Sequence, residues 1–147
     1  MKRKVCLVAA VALLAGCVYN SKVSTSAEQL QHHRFVLESV DGKALTNVKT
    51  PLELSFGQET AIIHQLHVSG NMCNQFNGTG RVSDGGELKV KELAMTRKLC
   101  TDPELNELDK TISTMLSQGA QVDLTESQLT LATAQHTLIY KLSDLVN

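Results

Sequence analysis

The chain has 147 residues, with 14 basic and 15 acidic side chains, no Trp, two Tyr and three Phe. Such a balance lacks the Lys and Arg surplus on which phosphate binding is built, which argues against a nucleic-acid partner. The scarcity of aromatics leaves no platform for stacking bases or sugars, and the length suits one domain with a core of Leu, Val and Ile.

The first element is Lys2-Arg3-Lys4 followed by an apolar run from Val5 to Leu14 and then Ala15-Gly16-Cys17. A basic start, a short apolar stretch and small residues before a cut form a secretory signal, which is removed and is no part of the fold. The run is too short to span a bilayer. The pattern is similar to the lipobox, which implies cleavage before Cys17 and lipidation of that residue, with more than one acyl chain for stable anchoring. The alternative is an ordinary signal peptide that happens to end in Cys. Val18 stands where an Asp would favour the inner membrane, so the expected location is the periplasmic face of the outer membrane. Residues 1–16 are thus read as signal, 17–27 as a lipidated tether rich in Ser, Thr and Lys, and 28–147 as the domain. Removal of the signal takes three basic residues and no acidic ones, leaving a formal charge of about −4.

Cys6 leaves with the signal, so Cys73 and Cys100 remain as an even pair in an oxidising compartment. A structural disulfide is the leading reading; two buried free thiols and a redox pair are the alternatives. The spacing is neither C-x-x-C nor that of a four-ligand zinc site, and no metal or other cofactor is expected.

Along the domain, Ser26 to Gln31 forms one or two capped helical turns. Arg34 to Val40 alternates as a strand and runs into the Asp41-Gly42 turn. Pro51 to Phe56 and Thr60 to Ser69 read as further strands, the second carrying Ile62, Ile63, Leu66 and Val68. Gly70 to Gly80, with its Gly and Asn residues, reads as a tight irregular segment. Thr79 to Val82 and Glu87 to Val90 flank a hairpin turn. Asp102-Pro103-Glu104 starts a helix whose face of Leu105, Leu108, Ile112, Met115 and Leu116 runs to Gly119. Val122 to Thr125, Leu129 to Thr133 and Thr137 to Leu142 complete the strands. Short connections favour antiparallel pairing. The expected fold is α+β: a strongly curved antiparallel sheet or open barrel, with one long amphipathic helix packed on or in it.

Ser69-Gly70-Asn71-Met72-Cys73-Asn74-Gln75-Phe76-Asn77-Gly78, followed by Leu93-Ala94-Met95-Thr96-Arg97-Lys98-Leu99-Cys100, resembles the paired signature of the META domain family. Gln29 to Phe35, Asn106 to Asp109 and Leu129 to Thr133 narrow the likeness to enterobacterial heat-shock members. The resemblance implies a small envelope protein of the stress response, linked to novobiocin tolerance, without enzyme activity. It marks Gly70, Asn74, Phe76, Gly78 and Thr96 as motif residues, serving either as structural glue or as a binding rim. Many members have Gly where this chain has Met72, which questions whether the backbone there needs Gly.

His64 and His67 are three apart and would fall on opposite faces of a strand, and His32 and His33 adjoin no carboxylate cluster. No nucleophile elbow, phosphate loop or H-E-x-x-H is present. Two function classes follow. One is a non-enzymatic envelope factor, membrane-held through its lipid, monomeric, acting on an envelope protein. The other is a carrier or sensor of a small apolar molecule inside the barrel.

Overall fold

The computed structural model describes residues 24–46 and 48–144, and in it eight antiparallel strands close into a barrel with one extra short strand and one main helix. In chain order the elements are α1 (Ala27–Leu30), β1 (His33–Val40), β2 (Lys43–Ala44), β3 (Glu53–Glu59), β4 (Gln65–Asn71), β5 (Gln75–Val82), β6 (Glu87–Met95), α2 (Pro103–Gln118), β7 (Ala120–Thr125), β8 (Gln128–Ala132) and β9 (Thr137–Leu142). From β3 to β9 each strand pairs with its neighbour in sequence. Closure comes from β9 returning to β1, with Leu37 opposite Tyr140, so the main barrel edges are consumed. On its other edge β1 pairs with β3 through His33–Val36 and with the short β2 through Ser39 and Val40.

Alternate residues face inward because the side-chain period of a strand is two. Phe35, Leu54, Phe56, Leu66, Val68, Leu88, Val90, Leu129, Leu131, Leu138 and Tyr140 are buried and fill the interior. Phe35 meets Phe56 edge to face, with ring centroids 6.0 Å apart.

The barrel has one weak seam. Between β6 and β7 only Glu87 with Gln121 and Leu88 with Ala120 are in register. Beyond Leu88, β6 runs beside α2, whose Leu108, Ile112, Met115 and Leu116 join the common core. Asp102 caps this helix by accepting from the Glu104 amide at 2.9 Å, Pro103 occupies its first turn, and Gly119 ends it at φ 106°. The helix therefore covers the seam while strand side chains occupy the interior. At the other end α1 is closed by a capping box between Ser26 and Gln29, with Ala27 and Leu30 fully buried. In the segment ahead of α1, Thr25 is buried and its Oγ1 accepts from the Leu124 amide at 2.8 Å. Among the described residues no helix is long and apolar enough to cross a membrane.

Two local expectations change. Residues 60–64 are a turn and β4 starts only at Gln65, so Ile62 and Ile63 lie outside the strand, 58% and 68% exposed. Thr60 Oγ1 accepts from the Ile62 amide, and Glu59 Oε2 accepts from the amide of His64, which sits at φ 72°. These local bonds outweigh the strand preference of the isoleucine pair. Gly70 to Gly80 is mostly regular: only residues 72–74 bend between β4 and β5. Gly70, Gly78 and Gly80 have no positive φ, and their role is close packing. A Cβ on Gly70 would run into the Glu53 carbonyl and stand 2.6 Å from the Phe76 ring; one on Gly78 would stand 2.7 Å from Val90 Cγ1.

Candidate functional site

The bend between β4 and β5 brings the signature residues together at the end of the barrel where α2 begins. A disulfide joins Cys73 to Cys100, with Cα atoms 5.9 Å apart, and fastens the bend to the segment leading into the helix. Asn74 is 5% exposed at the centre. Its Oδ1 accepts from Thr96 Oγ1 at 2.8 Å and from the Lys98 amide at 2.7 Å. Its Nδ2 donates to the Lys98 carbonyl at 2.9 Å and to Asp109 Oδ2 at 2.7 Å. The Asn74 amide donates to Asp109 Oδ1 at 3.0 Å, so one buried carboxylate on α2 takes both a backbone and a side-chain donor.

The neighbouring residues extend this clasp. Thr96 Oγ1 accepts from the Gln75 amide at 3.0 Å, and the Thr96 amide donates to the Gln75 carbonyl at 3.0 Å. Asn106, one turn into α2, accepts from the Cys100 amide at 3.0 Å and donates to its carbonyl at 2.8 Å. Phe76 is buried, and its ring lies across the bare Gly70, its register partner on β4. Met72 is buried with an ordinary negative-φ backbone, its amide donating to the Asn74 carbonyl at 2.9 Å, so this position needs no glycine.

The signature therefore gathers Gly70, Cys73, Asn74, Phe76, Thr96 and Cys100 into one place, with Gly78 further along β5. Cys17 lies outside the described residues. Asp109 is the member that residue patterning missed. Its signal was present: a carboxylate four residues after Leu105 and three before Ile112 sits on the apolar side of the helix. Every polar atom of the Asn74 side chain is already engaged, so the clasp ties β5, β6 and α2 together and leaves Asn74 no free group for a ligand.

The histidines fall elsewhere. His33 meets Asp144 from the C-terminal segment, whose Oδ1 also accepts from the Arg34 amide at 2.7 Å. The carboxylate absent from the neighbouring sequence is thus supplied from the far end of the chain. Burial acts to raise the Asp144 pKa, but the Arg34 amide, the His33 bond and the nearby positive charges together hold it below the ordinary value. Asp41 is also lowered, by its 2.8 Å bond with His136 and then by the Thr137 amide. His64 stands in the β3–β4 turn, 3.5 Å from Asp84, and His67 is exposed on β4. Among the described residues no three or more His, Cys, Asp and Glu gather as a metal-binding group.

With the fold and clasp defined, the META domain profile matches residues 28–144. The chain belongs to the META domain family. It is 58% identical to Heat shock protein HslJ of Escherichia coli (strain K12) over 147 residues, the whole of both chains. A protein solved by NMR is 60% identical, with a TM-score of 0.73, and the match covers 84% of this chain and 99% of that one. A protein from Burkholderia xenovorans, also solved by NMR, shares the fold at 22% identity and a TM-score of 0.65, over 90% of this chain and 94% of that one.

The META domain also carries a groove of about 610 Å³ on the outer face of β4, β5 and β6, at the end away from the clasp. Thr79, Arg81, Lys89 and Lys91 line it, with Arg81 directly opposite Lys89 and Thr79 opposite Lys91. Glu87 and Glu92 border it too.

Proposed function

We propose that this META domain protein is a non-enzymatic lipoprotein of the heat-shock and envelope stress response. In this reading it is held by lipid on Cys17 at the periplasmic face of the outer membrane and works through contact with an envelope protein. Residues 1–16 serve as signal and 17–27 as the lipidated tether. The heat-shock assignment rests on the likeness to HslJ of Escherichia coli, and novobiocin tolerance is the associated trait. The observation that carries the interaction role is the state of the signature: its side chains are spent on joining β5, β6 and α2. The interior is likewise occupied, with Tyr140, Phe35 and Leu54 fully buried. Function is then left to the outer surface, where recognition of a protein is the economical reading.

In-cell crosslinking of the full protein after heat stress, followed by mass spectrometry, tests this. A reproducible envelope protein is the expected result. No partner, together with displacement of a fluorescent apolar probe by novobiocin, would replace the reading with a small-molecule carrier.

A further inference from the structure

The end of the barrel opposite the clasp collects features that the stress-factor reading does not use. Ile62 and Ile63 are 58% and 68% exposed at the tip of the β3–β4 turn. The turn holds them out in a fixed shape: the Thr60 amide donates to the Gln65 carbonyl at 2.7 Å, Thr60 Oγ1 donates to the Ile62 carbonyl at 3.0 Å, and Glu59 holds the His64 amide at 2.9 Å. Adjacent isoleucines on this tip form a small apolar wedge that no neighbour among the described residues covers.

This wedge adjoins the basic groove. The His64 carbonyl accepts from the Val82 amide at 2.9 Å and its ring faces Asp84, so the turn lies against the hairpin connecting β5 and β6. Arg81, Lys89 and Lys91 follow on the outer face of that hairpin, and among the described residues none of them forms an ion pair. Arg81 opposite Lys89 is a like-charge cross-strand pair, which costs stability unless an anion relieves it. Of the bordering acids, Glu87 has its carboxylate beside Gly119 on the α2 side, while Glu92 stands at the bulge after Lys91. The groove lining itself thus carries three cations against two acids, while Asp84 and Glu59 beside it are engaged at His64.

The chain also leaves the domain here. Ser24 lies beside Gly86 in the β5–β6 turn, and Thr25 is tied to β7. Residues 17–23 span at most about 25 Å when fully extended. If Cys17 carries lipid, this end of the barrel is the one kept beside the bilayer.

We infer that this end is a membrane-docking surface, with Ile62 and Ile63 entering the headgroup and acyl boundary and Arg81, Lys89 and Lys91 contacting anionic phospholipid headgroups. The inference rests on the anchoring reading for its geometry. The occupant follows from the pairing of an apolar tip with a basic groove next to a tether, the combination by which peripheral proteins gain from both burial and charge. Each basic residue near an anionic surface contributes roughly a fivefold change in affinity. Docking fixes the orientation: the disulfide-bonded end and the start of α2 face away from the lipid.

The absence of Trp from the chain makes the test clean. Ile62→Trp and, at the opposite end, Leu99→Trp, which replaces a residue 86% exposed, each introduce a single reporter. The full lipidated protein is placed in phosphatidylcholine vesicles with and without phosphatidylglycerol, and quenching by brominated lipid is read alongside mass spectrometry of Cys17. The position-62 reporter is expected to be blue-shifted and quenched in anionic vesicles and the position-99 reporter to remain in water. R81E, K89E and K91E together should lower the quenching at position 62 at least tenfold in anionic vesicles. Equal quenching at both positions, or none at position 62, on a protein with lipid on Cys17 overturns docking and leaves anchoring intact. A groove that serves an acidic protein instead gives the same unquenched result. An unmodified Cys17 overturns anchoring; docking then predicts at least tenfold more cosedimentation of the mature protein with anionic than with neutral vesicles, and equal partition refutes it.

Discussion

Replacing Asn74 with Ala should be among the most costly single substitutions on the surface-to-core boundary of this domain. Four side-chain hydrogen bonds disappear. Thr96 and Lys98 are exposed, so water can replace three of these bonds and each loss costs about 0.5 kcal/mol. Asp109 is only 9% exposed, and the charge-assisted bond to it is worth about 1.5–3 kcal/mol. The sum is about 3–4.5 kcal/mol, equivalent to a fall in Tm of about 10–15 °C for a domain of this size. Urea unfolding of the disulfide-intact protein measures it, and a cycle with Asp109→Ala should give a coupling of about 1.5–3 kcal/mol. Asn74→Asp sharpens the test. Two carboxylates would then share the space of one hydrogen bond, so one must stay protonated with a raised pKa, and stability is lost as pH rises through that value. That variant should be relatively better at about pH 4 than at pH 7. A loss below about 1 kcal/mol for Asn74→Ala, with no coupling to Asp109, would refute the clasp.

The remaining expectations concern other parts of the fold. Removing the bridge with Cys73→Ala and Cys100→Ala should cost about 3–4 kcal/mol, read from the urea midpoint, since it frees a loop of 27 residues' separation in the unfolded chain. Gly70→Ala should cost about 1–3 kcal/mol, because its Cβ has no room beside the Glu53 carbonyl and Phe76; calorimetry would show it as a lowered Tm. Asp41 and Asp144 have lowered native pKa values, so they stabilise the fold above their ordinary value of 3.8 and lose that contribution as pH falls through the native values. Asp41→Asn with Asp144→Asn should flatten the acid side of a stability-against-pH curve, and an unchanged slope would contradict this. Burial pushes the Tyr140 phenol up, and among the described residues its hydroxyl has no protein hydrogen-bond partner; Tyr140→Phe should therefore leave stability unchanged or raise it by up to about 1 kcal/mol, measured by urea unfolding.

Much of the architecture was legible in the chain because local rules and burial agree there. Asp102, Pro103 and Gly119 set the bounds of α2 by capping chemistry alone, and the alternation in β1, β3, β8 and β9 follows from a half-buried sheet. The paired Cys segments likewise marked the clasp and, through family likeness, the domain. Tertiary structure decided the rest. Ile62 and Ile63 have strand propensity, yet hydrogen bonds from the Ile62 and His64 amides to Thr60 and Glu59 make them an exposed turn. Gly70 and Gly78 look like turn formers, but their use depends on rings and methyl groups brought to them by other strands. Asp109 gained its role only when the bend at Asn74 met α2, 35 residues later. Periodicity specifies which face of each element seeks burial; it carries no information about which distant backbone or charge will meet that face, and those meetings define both the clasp and the opposite, tether-bearing end.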